Sequence, residues 1–217
     1  MLQVQLEGDN AFLGMGRNGR VFRVLRDGKV YALKIVLTPN DCDGLVHSVF
    51  AEHKTLGRLK RNNLPVVTVL DEEACAVYGN DDEHCVGVCY LMEEVGTPIT
   101  VQGVDELTAV FQLLLALHCQ NEFHGDPRLS NIIASEGGLL WIDFFKPHVH
   151  VSNARDFLKM NFKRDIEILT KSVSHFCTVR NDAAFKEHVS TYANEPSAAH
   201  LALVLSMLSE RDRLTDS

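Results

Sequence analysis

Three short stretches carry residue types that chemistry needs. The first is "FHGDPRLSNII", Phe123 to Ile133, where Asp126, Arg128 and Asn131 share one loop after an apolar helix. A carboxylate on a rigid loop, such as Asp126, can accept the proton of a hydroxyl and orient that oxygen for attack. Asn131 offers a neutral oxygen of the kind a hard cation takes. Asp143, at the end of "LLWID", offers a charged one. Mg²⁺ keeps several waters and needs only one or two carboxylates beside substrate phosphates, so so sparse a pair suffices. Arg128 can neutralise charge on a transferring phosphoryl group. Taken singly, an Asp or Asn in a loop more often caps a turn.

The second stretch supplies two charges in apolar company. On "KVYALKIVL", Lys34 alternates onto the face of Val30, Ala32 and Val36. On the following helix, Glu52 falls on the stripe of Val49, Leu56 and Leu59. A charge facing apolar neighbours is costly alone. Either the two pair with each other or both reach out to the edge. The third stretch, "GMGRNGRVF", spaces Gly14, Gly16, Gly19 and Val21 as G-x-G-x-x-G-x-V. It precedes a strand, whereas a dinucleotide-binding fingerprint would open a helix. Glycines in a hairpin loop let backbone N–H groups approach a phosphate.

These residues need elements to hold them. "GRVFRVLRDGKVYALKIVL" reads as a hairpin turning at Asp27-Gly28. "DGLVHSVFAEHKTLGRLK" has helical spacing, with Asp43 as its N-cap. "VVTVL" and "HCVGVCYLMEEV" are strand candidates, and the acidic run from Asn80 to His84 is a solvated hairpin tip. After "GTPI" the period changes. Residues 105–122 form a buried helix, apolar almost all round. A loop follows, then a strand at Leu139 to Phe144, then helices from about Lys163. The C-terminal "SERDRLTDS" reads as a fraying helix and tail.

Composition sets outer bounds. The 217 residues are 46% hydrophobic and 23% charged, an ordinary globular balance with enough chain for a sizeable core. A net charge of −8 argues against a broad nucleic-acid surface. It leaves room for a single phosphate pocket. None of the six cysteines forms a C-x-x-C pair and Cys119 falls in the apolar helix, so free thiols in a reducing compartment are expected. The start "MLQVQLEGDN" lacks the basic and apolar regions of a secretory signal. "LTAVFQLLLALHC" is too short to span a bilayer. The expectation is a cytoplasmic or nuclear protein with no membrane partner. His148 and His150 in "KPHVHV" could face one side of a strand as a metal pair, but no third ligand accompanies them.

Taken in order, the three stretches resemble the protein-kinase superfamily, over about Leu13 to Val173. The resemblance implies an α+β, two-lobed protein-kinase-like fold. Residues 1–95 would form a β-rich N-lobe with one helix, 96–217 a reduced helical C-lobe, with a cleft at "EEVGTP". It implies a Gly-rich loop (Gly14, Gly16, Gly19) over ATP and Lys34 on the α/β-phosphates, paired with Glu52. Asp126 would be the catalytic carboxylate, with Asn131 and Asp143 on Mg²⁺. "YLMEEV" resembles the hinge, with Met92 as gatekeeper, the Glu93 and Val95 backbones facing adenine, and Val21 and Ala32 as the roof. Asp165 resembles the helix-start Asp that braces the catalytic loop.

The departures matter too. Gly125 stands where H-R-D has Arg, and Phe145 where D-F-G has Gly. Only 22 positions separate Asp143 from Asp165, with no A-P-E between them. "HGDPRLSNII" with "WIDF" is most similar to the compact kinase-like domains of Crinkler-type effectors. "HGD" with "IDF" is also similar to aminoglycoside and choline phosphotransferases, which usually carry a larger helical insertion. The implied activity is ATP-dependent phosphoryl transfer to a hydroxyl, of the Ser/Thr protein kinase type, with ATP, Mg²⁺ and a protein substrate. A pseudokinase scaffold and a small-molecule phosphotransferase are the alternatives.

Overall fold

A computed structural model describes residues 4–8, 11–16, 19–37, 43–70, 74–78, 85–144 and 153–211, with the side chains of 16 and 43–47 outside that description. Asn80 to His84, Phe145, His148 and His150 also lie outside it. The chain mixes helices with an antiparallel sheet and divides into two compact units, Met1–Thr97 and Pro98–Ser217.

In the first unit the strands are β1 (Gln5–Leu6), β2 (Phe12–Gly16), β3 (Gly19–Arg26), β4 (Lys29–Leu37), β5 (Cys75–Tyr78) and β6 (Cys85–Met92). They form one sheet in the order β1-β3-β4-β6-β5, with β2 also on β3. The β3–β4 turn has Asp27 at φ 52° and Gly28 at φ 76°. Two successive positive φ values are what a tight hairpin needs, and Asp-Gly supplies them at low cost. Helix α1 (Asp43–Arg61) buries Val49, Leu56 and Leu59. On the sheet, Ala32, Lys34 and Val36 alternate with Leu33, which joins Val24, Cys89 and Leu91 in a core on the other face.

"VVTVL" does not become a full strand. It follows Pro65, and its ladder is broken into isolated bridges, at Val66 and from Val69 to Met92, the latter flanked by Leu70 N–H to Leu91 C=O and Glu93 N–H to Thr68 C=O. β6 correspondingly stops at Met92, short of Val95.

The second unit follows β7 (Thr97–Pro98) at the junction. It contains α2 (Val104–His118), a 3₁₀ turn (Leu129–Asn131), β8 (Ile132–Ser135), β9 (Gly138–Trp141), α3 (Ala154–Ser172), β10 (Cys177–Val179), α4 (Asp182–Asn194), α5 (Ala198–Ser206) and β11 (Leu208–Glu210). α2 begins where Glu106 accepts the N–H groups of Gln102 and Gly103. It ends four residues earlier than the expected boundary at residue 122. Asn121 takes the left-handed conformation at φ 57°, and the Glu122 N–H closes back on the Leu117 carbonyl. α1 ends the same way on Asn63. Cys119 therefore lies beyond α2 and is exposed; all five described cysteines are free.

Three further expectations are corrected. Residues 132–135, read as loop, pair with β9 as β8, and β9 stops at Trp141. α3 starts at Ala154, about nine residues before Lys163, because Asn153 caps it by accepting the Arg155 and Asp156 N–H groups. Leu208–Glu210 is a strand on β10 rather than a fraying helix. Leu107, Val110, Phe111 and Leu114 of α2, with Ile166, Leu169, Val189, Tyr192, Leu201 and Val204, are buried in this unit. Among the described residues, no helix is long and apolar enough to cross a membrane.

Candidate active site

In the first unit, strand alternation and helix periodicity bring Lys34 and Glu52 together. The Lys34 ammonium lies 3.0 and 2.9 Å from the two Glu52 oxygens, and the residues are 7% and 8% exposed. The aliphatic stem is flanked by Tyr90, directly opposite on β6, with its ring centre 5.9 Å from Nζ. Burial strips water from both charges, so each depends on the other.

The glycine motif sits on the β2–β3 hairpin, with Gly14 opposite Val21 and Gly16 opposite Gly19. Its glycines differ in purpose. A Cβ on Gly19 would come within 2.9 Å of the Ile35 carbonyl and of Val36, so packing alone excludes a side chain. Gly14 has nothing within 4 Å of a Cβ. Among the described residues its small size answers to no neighbour.

Ala32 pairs with Met92 on the face of Lys34, both buried, and Val21 pairs with Lys34. The Glu93 N–H is spent on the Thr68 carbonyl at 2.9 Å. Glu94, which sequence reasoning passed over, is held harder. Its carboxylate accepts the Thr68 N–H at 2.6 Å, the Thr68 hydroxyl at 2.7 Å and the Lys60 ammonium at 3.2 Å. Burial pushes this carboxyl up, but the Thr68 bonds and Lys60 together hold it below the usual carboxylate range. Val95 follows, half-buried.

In the second unit, the loop after α2 is fastened from below by Asp165. This carboxylate has no exposed surface and accepts the N–H groups of His124 (2.7 Å) and Gly125 (3.0 Å). It also accepts a hydrogen bond from the His118 Nε2–H (3.3 Å), while His118 Nδ1 accepts the Tyr192 hydroxyl (2.8 Å). Asp165 lies inside α3, not at a helix start, eleven residues past the first. Gly125 adopts φ +88°, a conformation that strains any L side chain, which accounts for Gly rather than Arg in "HGD".

His124 then links the loop to the segment after β9. Its Nε2 donates to the Ile142 carbonyl at 2.9 Å and its Nδ1 accepts the Asp126 N–H at 3.3 Å. Those partners fix a neutral imidazole protonated on Nε2. Burial depresses the His118 and His124 pKa values, outweighing the Asp165 charge nearby. The His124 ring stacks on Phe144 at 4.4 Å and tilts against Trp141 at 4.6 Å. Ile142 is gripped on both sides, since its N–H donates to the Asn131 carbonyl at 3.0 Å. The next residue, Asp143, is turned into the left-handed region at φ 58°. Asp and Asn tolerate that better than other side-chain-bearing residues.

Within the loop, the Asp126 carbonyl accepts both the Arg128 N–H (2.9 Å) and the Asn131 amide NH₂ (2.8 Å). The Asn131 Oδ1 accepts the Ser130 hydroxyl at 3.5 Å. Arg128 donates from Nε to the Asp126 carboxylate at 2.7 Å. The Asp126 side chain is 32% exposed, open enough to meet a second molecule. Among the described residues, no group of three or more His, Cys, Asp or Glu could hold a metal by itself. A pair of oxygens from Asn131 and Asp143 suits a hard cation that takes its remaining ligands from water and phosphate.

No family model matches the chain, and no curated protein matches it. Among solved structures it is similar to the crystal structure of a kinase domain, at 18% identity and a TM-score of 0.49. The match covers 73% of this chain and spans 61% of the length of that domain.

Proposed function

We propose that this protein is an ATP-dependent phosphotransferase of two-lobed, kinase-like build, with a Ser/Thr protein substrate. The observation that carries the reading is the buried Lys34–Glu52 pair, both carboxylate oxygens within 3.0 Å of the ammonium. An ion pair of this kind adds little net stability over an apolar packing. Its use is to hold an ammonium at a fixed place on the sheet, where a phosphate oxygen can reach it.

In this reading Gly14, Gly16 and Gly19 lie along the nucleotide's phosphates, and Val21, Ala32 and Met92 enclose adenine. The Glu93 N–H is already bonded, so its carbonyl and the Val95 backbone are what remain for the base. Asp126 accepts the hydrogen bond of the attacking hydroxyl and orients its oxygen. Arg128, drawn to Asp126, places a second positive charge beside the phosphoryl group in transit. Asn131 and Asp143 would hold Mg²⁺, which would offset charge on the phosphates when bound. Asp165, His118 and Tyr192 keep the loop from shifting, and positioning is most of what phosphoryl transfer asks of a protein.

Thermal unfolding with ATP tests the binding half of the proposal. The wild type should gain stability with ATP and gain more with Mg²⁺ present. Asp143→Asn, which keeps the left-handed backbone but removes the charge, should lose the Mg²⁺-dependent part alone. No stabilisation of the wild type by ATP, with or without Mg²⁺, would defeat the reading.

A further inference from the structure

Within the first unit, α1 and the segment 64–70 enclose a cavity of about 430 Å³. His53, Lys54, Gly57, Lys60 and Arg61 fall on one face of α1, and Thr68 closes the opposite wall. No carboxylate is among the described residues lining it. In a chain with 29 acidic against 21 basic residues, a concavity holding three permanent cations runs against the average. Gly57 lies in its floor, where a Cβ would meet Val69 at 3.5 Å and the Arg61 guanidinium at 3.6 Å in ordinary contact.

One wall already receives an oxyanion. The Glu94 carboxylate docks on the Thr68 N–H, the Thr68 hydroxyl and Lys60. Lys60 divides itself between that carboxylate and the Val66 carbonyl. Lys54 and Arg61 are exposed, and among the described residues neither has an ion-pair partner. A doubly charged group with three terminal oxygens would match two unpaired cations, one of them a guanidinium fork, better than a carboxylate would.

We propose that this cavity binds a phosphate monoester group on Lys54 and Arg61, with Lys60 and Thr68 recruited as Glu94 yields them. The volume exceeds that of the phosphate itself and leaves room for its carrier, either a small phosphate ester or a phosphorylated side chain. The site stands independently of the nucleotide reading. One consequence rests on that reading: Glu94 lies between Glu93 and Val95, so an occupant that takes Lys60 from it loosens the segment proposed to face adenine.

Calorimetric titration of the full chain with O-phosphoserine, and with a short peptide carrying one phosphoserine, tests this. Binding should saturate and should weaken by about tenfold or more in the Lys54→Gln/Arg61→Gln double variant, the loss expected for charge-assisted bonds. Glu94→Gln should tighten it. Unchanged melting of the double variant would confirm that its fold is intact, since both side chains are exposed. Tighter binding of the peptide would assign a phosphoprotein ligand; equal binding of free phosphoserine would assign a small ester. Repeating the titration on protein saturated with Mg-ATP should leave binding saturable but weaker, because an occupant that loosens the adenine-facing segment binds less well when that segment is held. If ATP does not bind at all, the double variant still assigns the site. No saturable binding, equal affinity in wild type and double variant, or no gain on Glu94→Gln would overturn the proposal.

Discussion

Lys34 and Glu52 are each less than a tenth exposed, and a charge so buried is costly unless it is paired. Removing one partner leaves a buried charge, at a cost of about 3–5 kcal/mol. Lys34→Met and Glu52→Leu should therefore each destabilise by that order, while the double variant loses far less than the sum. Urea unfolding of the four proteins measures the coupling; additive losses would mean the pair is not coupled as its geometry implies. This pair was legible in the sequence because strand alternation and helix periodicity each put a charge among apolar neighbours. The support beneath Asp126 was not. His118, Asp165 and Tyr192 meet across separations of 47 and 74 residues, and no local pattern announces which buried histidine will find which hydroxyl.

At the scale of elements, α2, the loop after it, β9 and α3 are joined by two neutral histidines. Both His118 and His124 have folded pKa values depressed by burial below an unfolded value near 6.5. Below that value the unfolded chain takes up protons that the folded chain refuses. Their contribution is thus complete above pH of about 6.5 and is lost as pH falls from there towards the depressed values, at up to about 1.4 kcal/mol per pH unit for each histidine. Melting temperatures measured from pH 8 to pH 5 should fall in that window, and fall less steeply in His118→Gln. A profile unaltered by that substitution would mean His118 is not held neutral.

Element existence was largely readable, while element ends were not, for identifiable reasons. Asn121 turns the chain out of α2 just past the end of its apolar run. The first two turns of α3 are mostly exposed, so no apolar stripe marks its start before Phe157 and Leu158. β8 is buried chiefly at Ile132 and Ile133, two residues too short to show an alternation.

For the molecule as a whole, the function proposed above is that a nucleotide's terminal phosphoryl group is passed to a hydroxyl oriented by Asp126. The most direct measurement is transfer of labelled γ-phosphate from Mg-ATP by the wild type and by Asp126→Ala, with generic protein acceptors and small alcohols supplied. The account predicts transfer by the wild type and a loss of at least about a hundredfold in the variant, the usual scale for a general base. Equal transfer by both proteins would contradict the role given to Asp126, and with it the central reading of the loop.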